Sequence, residues 1–286
     1  MQAGLTEADV HRVSAGASDE QFADVLAVEE PLEIRIGLPV DGKVEHRATS
    51  ITMRTPGDDF ELAAGFLFTE GILTHPSQIK RIRHCGLPAK NKNLRNTVIV
   101  ELNDGVDVDF KRLERHFYTS SSCGVCGKSS IEALHTGAKR IDSEIIETIN
   151  SDVIHKLPAS LLSAQFAFEK TGGLHASVIF DFDGRIDTIR EDVGRHNALD
   201  KVIGRKFLAG ETPLTDKILL VSGRASFELV QKALMVGMPI LAAVGAPSSL
   251  AVELAKEFNM TLIGFVRDDR FNIYSGAERV GAGVYA

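Results

Sequence analysis

From residue 174 to residue 266, short apolar runs alternate with stretches of helical spacing, and this rhythm restricts the chain to an α/β architecture. Residues 174–180 read as a strand, Asp183-Gly184 as a turn and residues 186–189 as the returning strand. A helix is predicted over 194–208, then strand 218–222, helix 227–236, strand 240–244, helix 248–258 and strand 261–266. Strands separated by helices must be joined by crossovers, so a largely parallel sheet layered between helices is expected.

The N-terminal pattern differs. Residues 29–36 alternate apolar and charged, a second strand is expected at 46–53, and Gly42 lies in the turn between them. Thr55-Pro56-Gly57-Asp58-Asp59 opens a helix carrying Phe60, Leu62, Ala63, Ala64, Phe66 and Leu67, and residues 96–102 form another strand. Helical spacing returns at 129–134 and 159–168. The expected organisation is therefore a disordered polar tail over 1–25, a small α+β unit over 26–115, and an α/β domain over 116–286. No apolar run approaches the ~20 residues that span a bilayer, and the first 30 residues lack a secretory signal, so a cytoplasmic protein is expected. A net charge of -7 argues against nucleic acid as a partner.

The chain has three cysteines, Cys85, Cys123 and Cys126, too few and too odd a number for a disulfide framework. Cys123-Gly124-Val125-Cys126 sits in a mid-chain loop of glycines and serines that leaves room for a bulky partner. Lys128 and the start of the following helix both favour a thiolate. Two thiols at this spacing can ligate a metal, form a redox disulfide, or carry a labile sulfur, and the spacing leaves all three open. Zinc would need two further ligands, for which Cys85, His84, His116 and His135 are the candidates, with no second C-x-x-C among them. A thioredoxin-type pair would follow the first strand of a βαβ unit, which this pair does not.

Arg190-Glu191-Asp192-Val193-Gly194-Arg195-His196-Asn197, continuing to Lys201, crowds charge at a predicted helix start. Arg190, Arg195, His196 and Lys201 could line a phosphate or guide a proton. Spacing alone favours the plainer reading, a solvated helix start with an Asp192 cap and an Arg-Glu surface pair. Ser222-Gly223-Arg224, Ala246-Pro247-Ser248-Ser249 and Phe265-Val266-Arg267-Asp268-Asp269-Arg270 each follow a predicted strand. Ligands of open α/β sheets bind at such strand ends, and three converging ends weigh more than one.

Taken with Glu30-Pro31-Leu32-Glu33-Ile34-Arg35, Met53-Arg54-Thr55-Pro56-Gly57-Asp58-Asp59 and Gly65-Phe66-Leu67-Phe68-Thr69-Glu70-Gly71-Ile72, these segments give the chain a resemblance. It resembles the formate dehydrogenase accessory sulfurtransferases, the FdhD family, everywhere but the first ~25 residues. The resemblance implies a sulfurtransferase that takes sulfur from a cysteine desulfurase and passes it to the bis-molybdopterin guanine dinucleotide cofactor of formate dehydrogenase. It implies a persulfide on Cys123, Cys126 as second loop thiol, and cofactor binding at Phe265, Val266, Arg267, Asp268, Asp269 and Arg270. It also implies a relative of the cytidine deaminase fold. Zinc deaminases carry H-x-E before P-C-x-x-C, whereas His175-Ala176-Ser177 lacks that Glu and no Cys follows position 126, so deamination is not expected.

A cofactor with pyrophosphates and guanines needs anion donors and flat surfaces. Arg224, Arg267, Arg270 and helix N-termini offer the first, Phe265 the second, with Ser222 and Gly223 shaping the turn. The cofactor has two like halves, so a two-fold homodimer is expected. A chaperone that binds molybdenum cofactor or guanine nucleotide without covalent sulfur transfer is the alternative. No protein-held metal and no membrane partner are expected.

Overall fold

The computed structural model describes residues 4–16, 19–40, 42–88, 95–108, 137–142 and 148–281. Cys123 and Cys126, with the helical pattern expected at 129–134, lie outside the described residues.

Four strands form the N-terminal sheet: β3 (Glu30–Val40), β4 (Lys43–Arg54), β5 (Ile79–Pro88) and β6 (Arg95–Leu102), in the order β4-β3-β6-β5. The alternation expected here is realised: Leu32, Ile34, Ile36 and Leu38 are buried on one face while Glu33 and Arg35 occupy the other. Gly42 makes the hairpin turn at φ 75. Strand β5 was not legible in the sequence. Its basic residues are neutralised across the ladder, where Glu101 accepts from Arg81 Nε at 2.6 Å and Arg83 Nε at 2.8 Å. These guanidiniums hold the Glu101 carboxyl down at about 2.

The larger sheet contains β8 (His175–Asp181), β9 (Ile186–Asp192), β10 (Lys217–Val221), β11 (Ile240–Ala243), β12 (Thr261–Gly264) and β13 (Asn272–Ser275). Their order is β13-β12-β11-β10-β8-β9. Only the β10-β11 and β11-β12 pairings are parallel; the other three are antiparallel, which corrects the largely parallel sheet expected. The β8-β9 and β12-β13 connections are too short for a crossover and so return antiparallel.

Both faces of this sheet are buried. Helix α2 (Ser151–Ala164) covers one with Ile154, Leu157 and Leu161, beside Ile218 and Leu220. On the other face α4 (Arg195–Leu208), α5 (Phe227–Met235) and α6 (Ser249–Glu257) pack over Leu219 and Val221. A short helix, α3 (Phe166–Thr171), follows α2, and the two-residue strand β7 (Ile149–Asn150) precedes α2, paired in parallel with β14 (Val280–Gly281).

Helix α1 (Asp59–Thr69) joins the two sheets by crossing α4 at backbone contact. A Cβ on Gly65 would lie 1.9 Å from the Asp200 carbonyl oxygen, and one on Gly204 1.9 Å from that of Glu61. No residue but glycine fits either position without separating the helices.

The tail expected to be disordered is instead a hairpin, β1 (Leu5–Arg12) paired antiparallel with β2 (Glu20–Ala27). No described residue of either strand is fully buried. Its stabilisation is cross-strand, with Val10 opposite Phe22 and the Arg12 guanidinium 4.3 Å from the Phe22 ring centroid. That absence of core is what gave these residues the composition of a tail.

Candidate functional site at the strand ends

The C-terminal ends of β10, β11 and β12 open on one edge of the larger sheet. Because β8 runs antiparallel to β10, its first residue, His175, lies on the same edge opposite Asp192 of β9. The edge thus gathers His175, the 192–196 turn, the 222–226 and 245–248 loops, and the 265–270 loop.

Close backbone contacts stack these loops. Ser222 anchors the first, its Oγ accepting from the Ala176 amide at 2.9 Å and its own amide donating to the Ala176 carbonyl at 3.0 Å. The Gly223 carbonyl accepts from the Gly245 amide at 2.9 Å, and Gly245 O from the Phe265 amide at 3.1 Å. A Cβ on Gly245 would come 3.0 Å from Gly223 O. Ser222 and Gly223 therefore set the shape of the edge, while Arg224 points outward and is exposed.

The 265–270 loop divides its roles. Phe265 sits at φ 54, a conformation costly for a side chain with a Cβ, and its ring is 40% exposed. That backbone holds an aromatic surface at the sheet edge. Val266 faces inward and is fully buried, so its side chain belongs to the core. Arg267 Nη1 donates to Val244 O and Val266 O, each at 2.8 Å, and so ties strand ends together. Asp268, Asp269 and Arg270 are exposed. Phe265, Arg267, Arg270 and Asn272 line a shallow cleft of about 280 Å³.

The charged segment at 190–201 splits into two functions that its spacing did not separate. One part is a buried joint between the sheets. Lys201 Nζ lies 2.7 Å from Asp192 Oδ2, both side chains almost wholly buried, and donates to Thr55 O at 2.9 Å. Asp192 also accepts from the amides of Thr55 and Gly194, and Asn197 Nδ2 donates to Met53 O at 2.7 Å. Arg190 pairs with Glu61 on α1 at 2.6 Å. Asp192 and Lys201 are therefore structural, and neither a solvated helix start nor a phosphate cradle describes them.

The other part faces the edge. Burial and the charge of Arg195 push the His175 imidazole below its ordinary range. Burial, Arg195 and Lys232 push His196 down to about 4. Glu228 Oε2 lies 3.9 Å from His196 Nε2, and its carboxyl is lowered, burial being outweighed by Ser226, its own amide, His196 and Arg195. Arg195 Nε and His196 Nε2 are buried without a hydrogen-bond partner. One turn deeper, Lys232 donates to Asp200, Thr69 and Glu70, closing the α1-α4-α5 contact. Among the described residues no group of three or more His, Cys, Asp or Glu side chains could hold a metal ion.

The edge can therefore offer guanidinium and imidazole donors, a carboxylate and an aromatic face to a polar, ring-bearing ligand.

A family model described as the FdhD/NarQ family matches residues 27–281. A sulfur carrier protein FdhD of Streptomyces avermitilis is 48% identical over 274 residues, covering 95% of this chain and 94% of the relative. The protein of the same name from Mycolicibacterium paratuberculosis is 49% identical over 259 residues, covering 90% and 92%. Among solved structures, a formate dehydrogenase accessory protein from Desulfotalea psychrophila superposes with a TM-score of 0.72 at 23% identity. The match covers 97% of this chain and all of that one, and it shows a shared fold.

Proposed function

The chain belongs to the FdhD/NarQ family, and from that premise we propose that it carries sulfur for the maturation of formate dehydrogenase. The observation that carries this reading is the family match over 27–281, which encloses both the Cys123-Gly124-Val125-Cys126 motif and the strand-end site. Relatives named sulfur carrier protein FdhD share close to half of their residues with this chain.

In this reading the Cys123 thiolate attacks the terminal sulfur of a cysteine desulfurase persulfide. The donor S–S bond breaks, the desulfurase cysteine leaves as thiolate, and the sulfur rests on Cys123 as a persulfide. The acceptor is the bis-molybdopterin guanine dinucleotide cofactor, bound as substrate. Phe265 stacks on a ring, Arg224 and Arg270 meet anionic groups, and Ser222, Gly223 and Arg267 hold the loops that present them. Val266, Asp268 and Asp269 complete that loop, with Val266 acting through its burial. Cys126 is the second thiol of the loop. The protein works in the cytoplasm as a two-fold homodimer, each copy meeting one half of the cofactor. The scaffold is a relative of the cytidine deaminase fold without its catalytic Glu. No helix among the described residues is long and apolar enough to cross a membrane.

The test is reconstitution of formate dehydrogenase from sulfur-free cofactor with desulfurase, cysteine and this protein. Wild type should restore activity and Cys123→Ala should not. Equal restoration by both would sink covalent transfer and leave the cofactor-binding chaperone.

A further inference from the structure

Arg195 is set apart from the other half-buried or buried arginines of the fold. Arg54 is held by Asp59, Arg190 by Glu61, Arg35 by Glu33 and Arg279 by Thr261 and Glu278. Among the described residues Arg195 makes no ion pair; its Nε is buried without an acceptor, as are Nε of Arg35 and of Arg279, but each of those two arginines has another nitrogen paired. Arg195 stands in the first turn of α4, whose cap residue Gly194 supplies no side-chain cap. A half-buried guanidinium in that condition lacks a partner that water or a ligand must provide.

Two imidazoles accompany it. The His175 ring lies over Gly223, where a Cβ would come 3.4 Å from Nδ1. His196 follows Arg195 directly, and its Nε2 is buried without a hydrogen-bond partner. Neutral imidazoles beside a cation can each turn an N–H toward an anion. Among the described residues the carboxylates that bear on these rings are Asp192, committed to Lys201, and Glu228 with Glu70 near His196.

We propose that Arg195, flanked by His175 and His196, binds a phosphate or pyrophosphate group of the acceptor. This rests on the strand-end edge being the acceptor site, and it assigns an oxyanion of the ligand to Arg195. A bound oxyanion cancels the charge of Arg195 as the histidines feel it, so both should become easier to protonate.

The experiment is a histidine C2–H NMR titration of the full-length protein with three probes: inorganic pyrophosphate, GDP and guanosine. Pyrophosphate and GDP should shift the His175 and His196 resonances and raise their midpoints; guanosine should not. GDP that displaces pyrophosphate places the group on a nucleotide, and pyrophosphate that GDP cannot displace marks a free-anion site; either supports the oxyanion assignment. Arg195→Gln should weaken pyrophosphate roughly tenfold or more, the loss of a charge-assisted contact. Arg195→Lys, which keeps charge without the fork, should fall between. Unmoved histidines in the wild type, equal pyrophosphate affinity in Arg195→Gln, or histidine shifts with guanosine equal to those with GDP would each overturn it. Sulfur loading of wild-type Cys123 is scored separately: loading with a silent titration overturns this inference alone, and no loading overturns the sulfur-carrier reading alone.

Discussion

Replacing Lys201 by Met removes the ammonium from a joint that is otherwise closed. Asp192 would remain almost wholly buried, still accepting from the amides of Thr55 and Gly194 and from Asn197 but without its counter-charge. Removing one partner of a buried pair costs about 3–5 kcal/mol. The surviving hydrogen bonds place the expected value toward the lower end, while the Thr55 and Glu191 carbonyls lose a donor and push it back up. At about 2–4 °C per kcal/mol for a chain of this size, the melting temperature should drop by roughly 10 °C. The double variant Asp192→Asn/Lys201→Met removes the stranded charge and keeps a carbonyl for the amide donors. It should be more stable than Lys201→Met alone by about 2 kcal/mol. Urea unfolding of wild type, both single variants and the double variant closes the cycle. A coupling energy below about 0.5 kcal/mol would refute a joint held by this pair.

Gly204→Ala should destabilise by more than about 3 kcal/mol, because its Cβ meets the Glu61 carbonyl at 1.9 Å. Gly210→Ala, with nothing within 4 Å but φ 72, should cost only about 1 kcal/mol; equal costs in thermal melts would contradict the helix crossing. His196 is held near 4 in the folded chain against 6.5 when free, so its contribution is complete above pH 6.5 and is lost as pH falls toward 4. His196→Gln should flatten that part of the stability profile; an unchanged slope would show the ring to be solvated. Glu101, held near 2 against 4.5, contributes above pH 4.5 and loses it as pH falls toward 2, so Glu101→Gln should be less acid-sensitive there. Phe265→Gly should relieve the φ 54 backbone without lowering the melting temperature, yet weaken GDP binding in calorimetry; unchanged affinity would remove the ring from the site.

The strand-helix rhythm after residue 174 was legible because each strand is a short apolar run bounded by turns, and the ends of β10, β11 and β12 fell where they were expected. What escaped was structure stabilised by polar contacts across long sequence separations. Strand β5 hides its pairing in Arg81, Arg83 and Glu101, and the β1-β2 hairpin has too little burial to leave a pattern. Asp192 and Lys201 looked like surface charge because nothing local shows that the Met53–Asp59 segment closes over them. Val266 and Arg267 had the right place but the wrong surface: one is core, the other a tie between strand ends. Arg195 and His196 were visible as charge at a helix start, and only the fold separates their unpartnered atoms from the paired Arg190.

Sulfur on Cys123 is most directly tested by weighing the intact protein after incubation with a cysteine desulfurase and cysteine. The account predicts a gain of one sulfur atom that a reductant removes and that Cys123→Ala does not acquire. A wild-type mass that never changes, or a gain that persists in Cys123→Ala, would contradict it.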